Sequence, residues 1–250
     1  SNQAATLWYH PHLMGKTGEQ VYRGLAGLFL IDDANSAQLG LPHDYGVDDI
    51  PLVVQDRLFD QDGQLVYRHD DQAFITPGML GDTILVNGTF APYLDVPGKL
   101  VRLRILNGSN ARRYNFGFSD GRPFYQIASD GGLLAAPVER TQMILAVAER
   151  AEILVDLSDA PAALTLMSYP IVDSVNPIIN LAQGIFLAGN DEKQQFTILE
   201  LRARTGGYPQ QTIPPVLNTI ERTRERDAMR TREFTLDPEA RTINSLSMDH

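Results

Sequence analysis

The stretch Lys99-Leu100-Val101-Arg102-Leu103-Arg104-Ile105-Leu106 decides the fold class. Val101, Leu103 and Ile105 recur at every second position, and in an extended chain alternate residues share one face of the pleat. Leu100, Arg102 and Arg104 fall on the other face. The stretch therefore reads as a β-strand with one buried side and one wet side.

Working outward, comparable strand signals recur about every 8–15 residues, the spacing of an all-β sandwich or barrel. They cover residues 52–59, 83–86, 100–106, 114–118, 124–128, 143–147, 151–157, 164–168, 185–188 and 196–201. Between them lie Asp62-Gly63, Pro77-Gly78, Asn87-Gly88, Pro97-Gly98, Asn107-Gly108, Asp120-Gly121 and Asp130-Gly131-Gly132. Such pairs accept the positive φ that tight hairpin turns require. No long amphipathic pattern suggests a helix. Asn87-Gly88-Thr89 and Asn107-Gly108-Ser109 also fit the N-glycosylation pattern, but Asn-Gly is a hairpin signal first.

Two regions read as connections, residues 31–49 and 205–215, each rich in turn-forming residues. Residues 221–233 hold five Arg and four acidic side chains with only Ala228 and Met229 apolar, too little for a buried helix face. This segment is expected to be a solvated link, and a new strand pattern starts at Phe234-Thr235-Leu236.

Composition narrows the function. The chain has 250 residues, 43% hydrophobic and 21% charged, a globular balance, with no apolar run near the roughly 20 residues of a membrane span. Its 21 Lys and Arg face 31 Asp and Glu for a net charge of −10, the wrong sign for a phosphate backbone or an anionic lipid surface. No nucleic-acid or membrane partner is expected. There is no cysteine, so any metal must be held by His, carboxylate or Met. Gly-x-Ser-x-Gly, Gly-x-Gly-x-x-Gly and a phosphate loop are all missing from the sequence, which leaves hydrolase and nucleotide-binding readings without support.

The one pair of histidines at ligand spacing is His10-Pro11-His12. In an extended segment, residues i and i+2 point the same way roughly 6–7 Å apart, and Pro11 favours the extended form on either side. Two neutral imidazoles facing one space suit copper, zinc, nickel or iron, and at that separation they serve two adjacent ions better than one. His43, His69 and His250 have no partner at such spacing and read as surface residues. The six Met are dispersed and read as core or surface packing, with Met14 a packed or partly exposed residue and no copper ligand. The adjacent carboxylates Asp32-Asp33, Asp48-Asp49 and Asp70-Asp71 point to opposite faces of an extended chain and make poor acid–base pairs.

Trp8-Tyr9-His10-Pro11-His12, followed by Gly15-Lys16-Thr17-Gly18 and Gln20-Val21-Tyr22-Arg23-Gly24-Leu25-Ala26-Gly27-Leu28, resembles the second His-x-His block of the multicopper oxidases, in the form found in the bacterial laccases and cuprous oxidases. Further similarity runs through Gly46-Val47-Asp48-Asp49-Ile50-Pro51, Gly81-Asp82-Thr83-Ile84-Leu85-Val86-Asn87-Gly88, residues 102–112, Ala128-Ser129-Asp130-Gly131-Gly132 and residues 149–156. Thr242-Ile243-Asn244 is similar to the family's Ile-Asn-Gly, with Ser245 in place of Gly.

The resemblance implies an all-β, cupredoxin-like Greek-key β-sandwich. It also implies a division of the chain: residues 1–45 closing a first cupredoxin domain, 46–205 a complete second one, and 206–250 a linker with the first strand of a third. By the same likeness His10 and His12 are type 3 copper ligands, one on each copper of the pair. The other ligands of the trinuclear cluster, and the whole blue copper site, would come from cupredoxin segments of the same protein outside this chain. The implied activity of the whole protein is that of an oxidoreductase, coupling one-electron oxidation of a small reducing substrate, a phenol or a metal ion, to reduction of dioxygen to water. The fragment alone is expected to be inactive. Residues 21–27 and 45–49 also resemble a bacterial cell division scaffold that keeps the cupredoxin domains without copper, which is the alternative function. Retention of both His10 and His12 favours the oxidase. The family is usually exported, to the periplasm in Gram-negative bacteria.

Overall fold

The computed structural model describes residues 2–68, 78–171, 194–209, 211–237 and 242–247. The strand signal at 185–188, His69, His250, Met248, Pro77 and Asp70-Asp71 lie outside the described residues. The chain forms two compact units, Ser1–Asn218 and Thr219–His250.

In the first unit β1 (Ala5–Tyr9), α1 (Thr17–Tyr22), β2 (Gly27–Ile31) and α2 (Ala34–Gln38) precede β3 (Asp49–Arg57), β4 (Thr83–Val86), β5 (Thr89–Phe90), β6 (Tyr93–Pro97), β7 (Leu100–Asn107) and β8 (Tyr114–Phe118). There follow β9 (Phe124–Ser129), β10 (Gly132–Arg140), β11 (Met143–Leu145), β12 (Arg150–Asp156), β13 (Leu164–Ser168) and β14 (Phe196–Arg204). Among the described residues they form one sheet in the order β10-β9-β12-β7-β3-β4-β5, a second in the order β11-β8-β13-β14-β6, and the ribbon β1-β2. Pairing is antiparallel except for β3 with β7 and β14 with β6. The architecture is the all-β, cupredoxin-type sandwich expected.

The core lies between the two larger sheets. Leu103, Ile105, Ile153 and Val155 of one face Tyr114, Phe116, Phe118, Leu166 and Leu201 of the other, all fully or almost fully buried. Phe118 and Phe124 meet edge to face with centroids 5.9 Å apart, a preferred aromatic geometry. At Asn87-Gly88 both residues take positive φ, 50° and 76°, as the two-residue turn between β4 and β5 requires. Asn107 behaves differently from the hairpin expected there. It ends β7 wholly buried, and its side-chain amide donates to the carbonyls of Arg112 and Leu145.

The sequence expectation fails at the supposed wet side of β7. Arg102 and Arg104 are 4% and 3% exposed, because Thr6 of β1 and the segment around α2 lie over that face. A second, smaller core joins the two layers: Ala4 and Leu41 pack with Leu100, Ile127, Ala128, Leu133, Leu154 and Leu217. The region read as a connection also contains α2. Its Asp33 carboxylate accepts from the Ser36 N–H at 2.7 Å, and the Ser36 hydroxyl accepts from the Asp33 N–H, a capping box.

The second unit is a small antiparallel sheet of β15 (Leu236–Asp237), β16 (Thr242–Ile243) and β17 (Leu246–Ser247). The described residues from 221 to 237 are exposed throughout.

Candidate metal centre

β1 carries the histidines. It pairs with β2 from Ala5↔Ile31 to Tyr9↔Gly27 and ends there, since Pro11 has no N–H to extend a ladder. Tyr9 explains Gly27: a Cβ at residue 27 would come within 2.5 Å of the Tyr9 hydroxyl, so only glycine lets the ring lie across the ribbon. Thr6, Trp8, His10 and His12 are the even-numbered positions and share one side of the extended segment. The Trp8 and His10 rings stand 4.3 Å apart, tilted by 30°. Those of His10 and His12 stand 5.6 Å apart at 33°.

His10 Nδ1 lies 2.8 Å from the Pro11 carbonyl oxygen. A carbonyl only accepts, so Nδ1 carries the proton and the Nε2 lone pair is free for a metal. A ligand histidine is typically oriented in this way by a bond from its other nitrogen. His10 is half-buried and His12 exposed, so within this chain the pair faces an open surface rather than a closed cavity. Among the described residues no group of three or more His, Asp or Glu converges. Two nitrogen donors fit the edge of a metal centre whose other ligands come from elsewhere. Met14 is 84% exposed and the His43 ring is bonded to the Leu41 carbonyl at 3.1 Å. His43 lines a separate cavity of about 460 Å³ with Asp32, Asp49, Arg102 and Arg104.

Sequence reasoning missed what lies beneath β1. Arg104 grips Asp49 with two bonds of 2.7 Å. Arg102 donates to Glu152 Oε2 from Nε, at 2.9 Å, and from Nη2. The other Glu152 oxygen accepts from Arg104 Nη1 at 3.2 Å and from the Thr6 hydroxyl at 2.6 Å. Thr6 Oγ1 in turn accepts from Arg104 Nη1 at 3.1 Å. All five side chains are buried. Burial pulls the Arg104 pKa down, but its bonds to Asp49 and the charges of Glu152 and Asp49 outweigh that and hold it raised. In sequence the two cations share β7 while Asp49 lies on β3 and Glu152 on β12, so no local pattern pairs them.

A second buried polar set ties α1 to the sandwich. Asp56 Oδ2 accepts from Gly81 N at 2.7 Å and from Arg112 Nε at 2.9 Å, while Arg112 Nη2 donates to the Gly81 carbonyl at 2.6 Å. Arg57 lies over the Tyr22 ring, 4.7 Å from its centroid, and donates to the Val21 carbonyl. Tyr22 accepts from Leu58 N at 2.7 Å, and burial raises its pKa.

Residues 1–36 match the family model described as multicopper oxidase. The chain is 40% identical, over 98% of its length, to the cell division protein FtsP of Dickeya dadantii, and 48% identical over 62% of its length to FtsP of Escherichia coli K12. It spans 50% and 32% of those two relatives. Among solved structures it is similar to the McoA multicopper oxidase of the hyperthermophile Aquifex aeolicus, at 38% identity and TM-score 0.80, covering 97% of this chain and 51% of that one. The laccase-like multicopper oxidase CueO of Ochrobactrum sp. matches at 33% identity and TM-score 0.75, covering 90% of this chain and 46% of that one. With its sandwich fold, its His-x-His block and this likeness along nearly its whole length, the chain is multicopper oxidase-like in sequence and fold.

Proposed function

We propose that the chain is part of a copper-dependent oxidase, in which His10 and His12 each bind one copper of a type 3 pair within a trinuclear cluster. The observation that carries this reading is the ring pair at 5.6 Å with His10 Nδ1 committed to a carbonyl. A protein with no metal to hold has no physical reason to keep two imidazoles so aligned. Copper there supplies one-electron redox chemistry, with dioxygen as the acceptor and a small reducing substrate, a phenol or a metal ion, as the donor. The chain's own part is to present two nitrogen lone pairs on a rigid ribbon. The remaining ligands belong to other cupredoxin segments of the protein.

On the same reading residues 1–45 close a first cupredoxin domain, 46–205 form a second and 206–250 lead into a third. The protein is exported, to the periplasm in a Gram-negative cell. Copper content of the full-length protein after reconstitution tests the proposal, with several ions per molecule expected. His10→Ala is expected to lose copper and oxygen reduction while keeping the fold, since the ring is only half-buried. Oxidase activity unchanged by that substitution would refute the assignment.

A second reading is favoured by the curated relatives, which carry the name of a cell division protein at up to 52% identity. On it the chain belongs to a copper-free cupredoxin scaffold. Essentially no copper in the reconstituted full-length protein would select this reading.

A further inference from the structure

We propose that Glu152, on β12 of the larger sheet, is the positioning residue for the His10–His12 pair, acting through Thr6 and Trp8. The inference rests on the reading of those histidines as metal ligands, and it concerns what sets their place. Among the described residues β1 pairs with β2. A slip of one residue along a strand turns every side chain to the opposite face. The contacts that β1 makes with the larger sheet therefore bear on where His10 lies along the strand.

Thr6 is the point of attachment. It is 1% exposed and held at both polar ends. Its hydroxyl donates to Glu152 and accepts from Arg104, and its carbonyl accepts from Arg150 Nε at 3.2 Å. Each partner lies on β7 or β12, near the centre of the larger sheet. Two further contacts hold the same end of the strand, one to the α2 cap and one to β10 of that sheet. Ala4 N donates to Asp33 at 2.9 Å, and Gly132 runs so close that a Cβ there would stand 2.5 Å from the Ala4 carbonyl oxygen.

From Thr6 the outward face steps by two residues at a time. Trp8 stands beside His10 at 4.3 Å and His10 beside His12 at 5.6 Å. A buried carboxylate bonded to Thr6, which stands four residues or about 13 Å of extended chain from His10, thereby helps to place two imidazoles it never touches. Glu152 is suited to this because its own charge is consumed by Arg102 and Arg104. The orientation of its Oε1 is therefore fixed before Thr6 bonds to it.

Thr6→Val in the full-length protein is the decisive test, since it deletes one hydroxyl and leaves the Glu152–Arg102–Arg104–Asp49 ion pairs in place. In the copper-free form, hydrogen exchange of residues 7–12 is expected to speed up about tenfold or more, the factor that one buried hydrogen bond to a charged group sets on a local opening. Exchange of β7 and β12 should not change. In ¹⁵N-histidine spectra the Nδ1–H form of His10 should give way to the mixture of a free imidazole. Copper affinity should fall about 10- to 100-fold, the usual effect of losing an orienting residue behind a ligand. Thr6→Ser should restore all three.

Unchanged exchange and an unchanged His10 tautomer in Thr6→Val would overturn the inference, as would equal acceleration throughout β7 and β12. If the wild-type protein binds no copper, the proposed function fails, while the exchange and tautomer measurements still decide whether Glu152 positions the pair.

Discussion

Glu152→Gln probes the buried charges directly. The wild-type set balances Arg102 and Arg104 against Asp49 and Glu152, with the side chains of all four at most 5% exposed. Glutamine keeps the shape but removes one negative charge and replaces one acceptor oxygen by an NH₂ group. Four donated bonds converge on the carboxylate, from Arg102 Nε and Nη2, Arg104 Nη1 and the Thr6 hydroxyl. Some of those donors would then meet another donor, and an uncompensated cation would remain out of water. Removing one partner of a buried pair costs about 3–5 kcal/mol, a large share of the ~5–15 kcal/mol that holds a domain folded. At about 2–4 °C per kcal/mol for a unit of this size, the melting temperature should drop by about 6–20 °C. Urea unfolding followed by circular dichroism is the assay, with a lower midpoint at an unchanged slope expected. Removing donor and acceptor together, as in Arg102→Leu with Glu152→Leu, keeps the Arg104–Asp49 fork and should lose less than Glu152→Gln alone. A loss below about 1 kcal/mol in Glu152→Gln would refute the reasoning, because it would mean that water already solvates the cluster.

Other substitutions separate the remaining contributions. Gly81→Ala places a Cβ 2.3 Å from the Arg57 backbone, which cannot yield as a side-chain tip would, so a loss of about 3 kcal/mol is expected in urea unfolding. Leu103→Ala, at a fully buried site between the sheets, should cost about 2–5 kcal/mol, whereas Met229→Ala on the exposed segment should stay within about 0.5 kcal/mol. Asp33→Ala removes the α2 cap and the Ala4 bond together and should cost about 0.5–2 kcal/mol. Bonds from the Ser36 and Ala4 amides hold the Asp33 pKa below its usual value. Its contribution is therefore complete above the ordinary carboxylate value of about 4 and fades as pH falls through the lowered one. Wild type and Asp33→Ala should then converge in stability in acid, which melting curves between neutral pH and pH 2 would show.

The inner strands were legible because each carries a pattern that burial on one face imposes. Residues 83–86, 114–118 and 164–168 coincide with β4, β8 and β13. The edges were not. β10 breaks register between Leu133 and Val138 and is largely exposed beyond Leu133, so no alternation marks it. β6 is a parallel edge strand whose partner β14 lies about a hundred residues later. The α2 cap was written in Asp33 and Ser36 but hidden among turn-forming residues. His10 and His12 were legible from spacing alone, since Pro11 dictates an extended step between them. Their supports were not, because Arg102 and Arg104 on an alternating strand look like a solvent face until a second layer covers them.

The separation of 146 positions between Thr6 and Glu152 also imposes an order in time. A ribosome adding about 5–20 residues per second reaches Glu152 about 7–30 s after it has made Thr6. Over that interval the two imidazoles sit on a segment whose anchor does not yet exist, and a metal ion meeting them finds a loose chelator instead of a spaced pair. Closure of the two larger sheets is thus the step that anchors the histidine pair, and on the proposed reading of those histidines as ligands the metal would be loaded last.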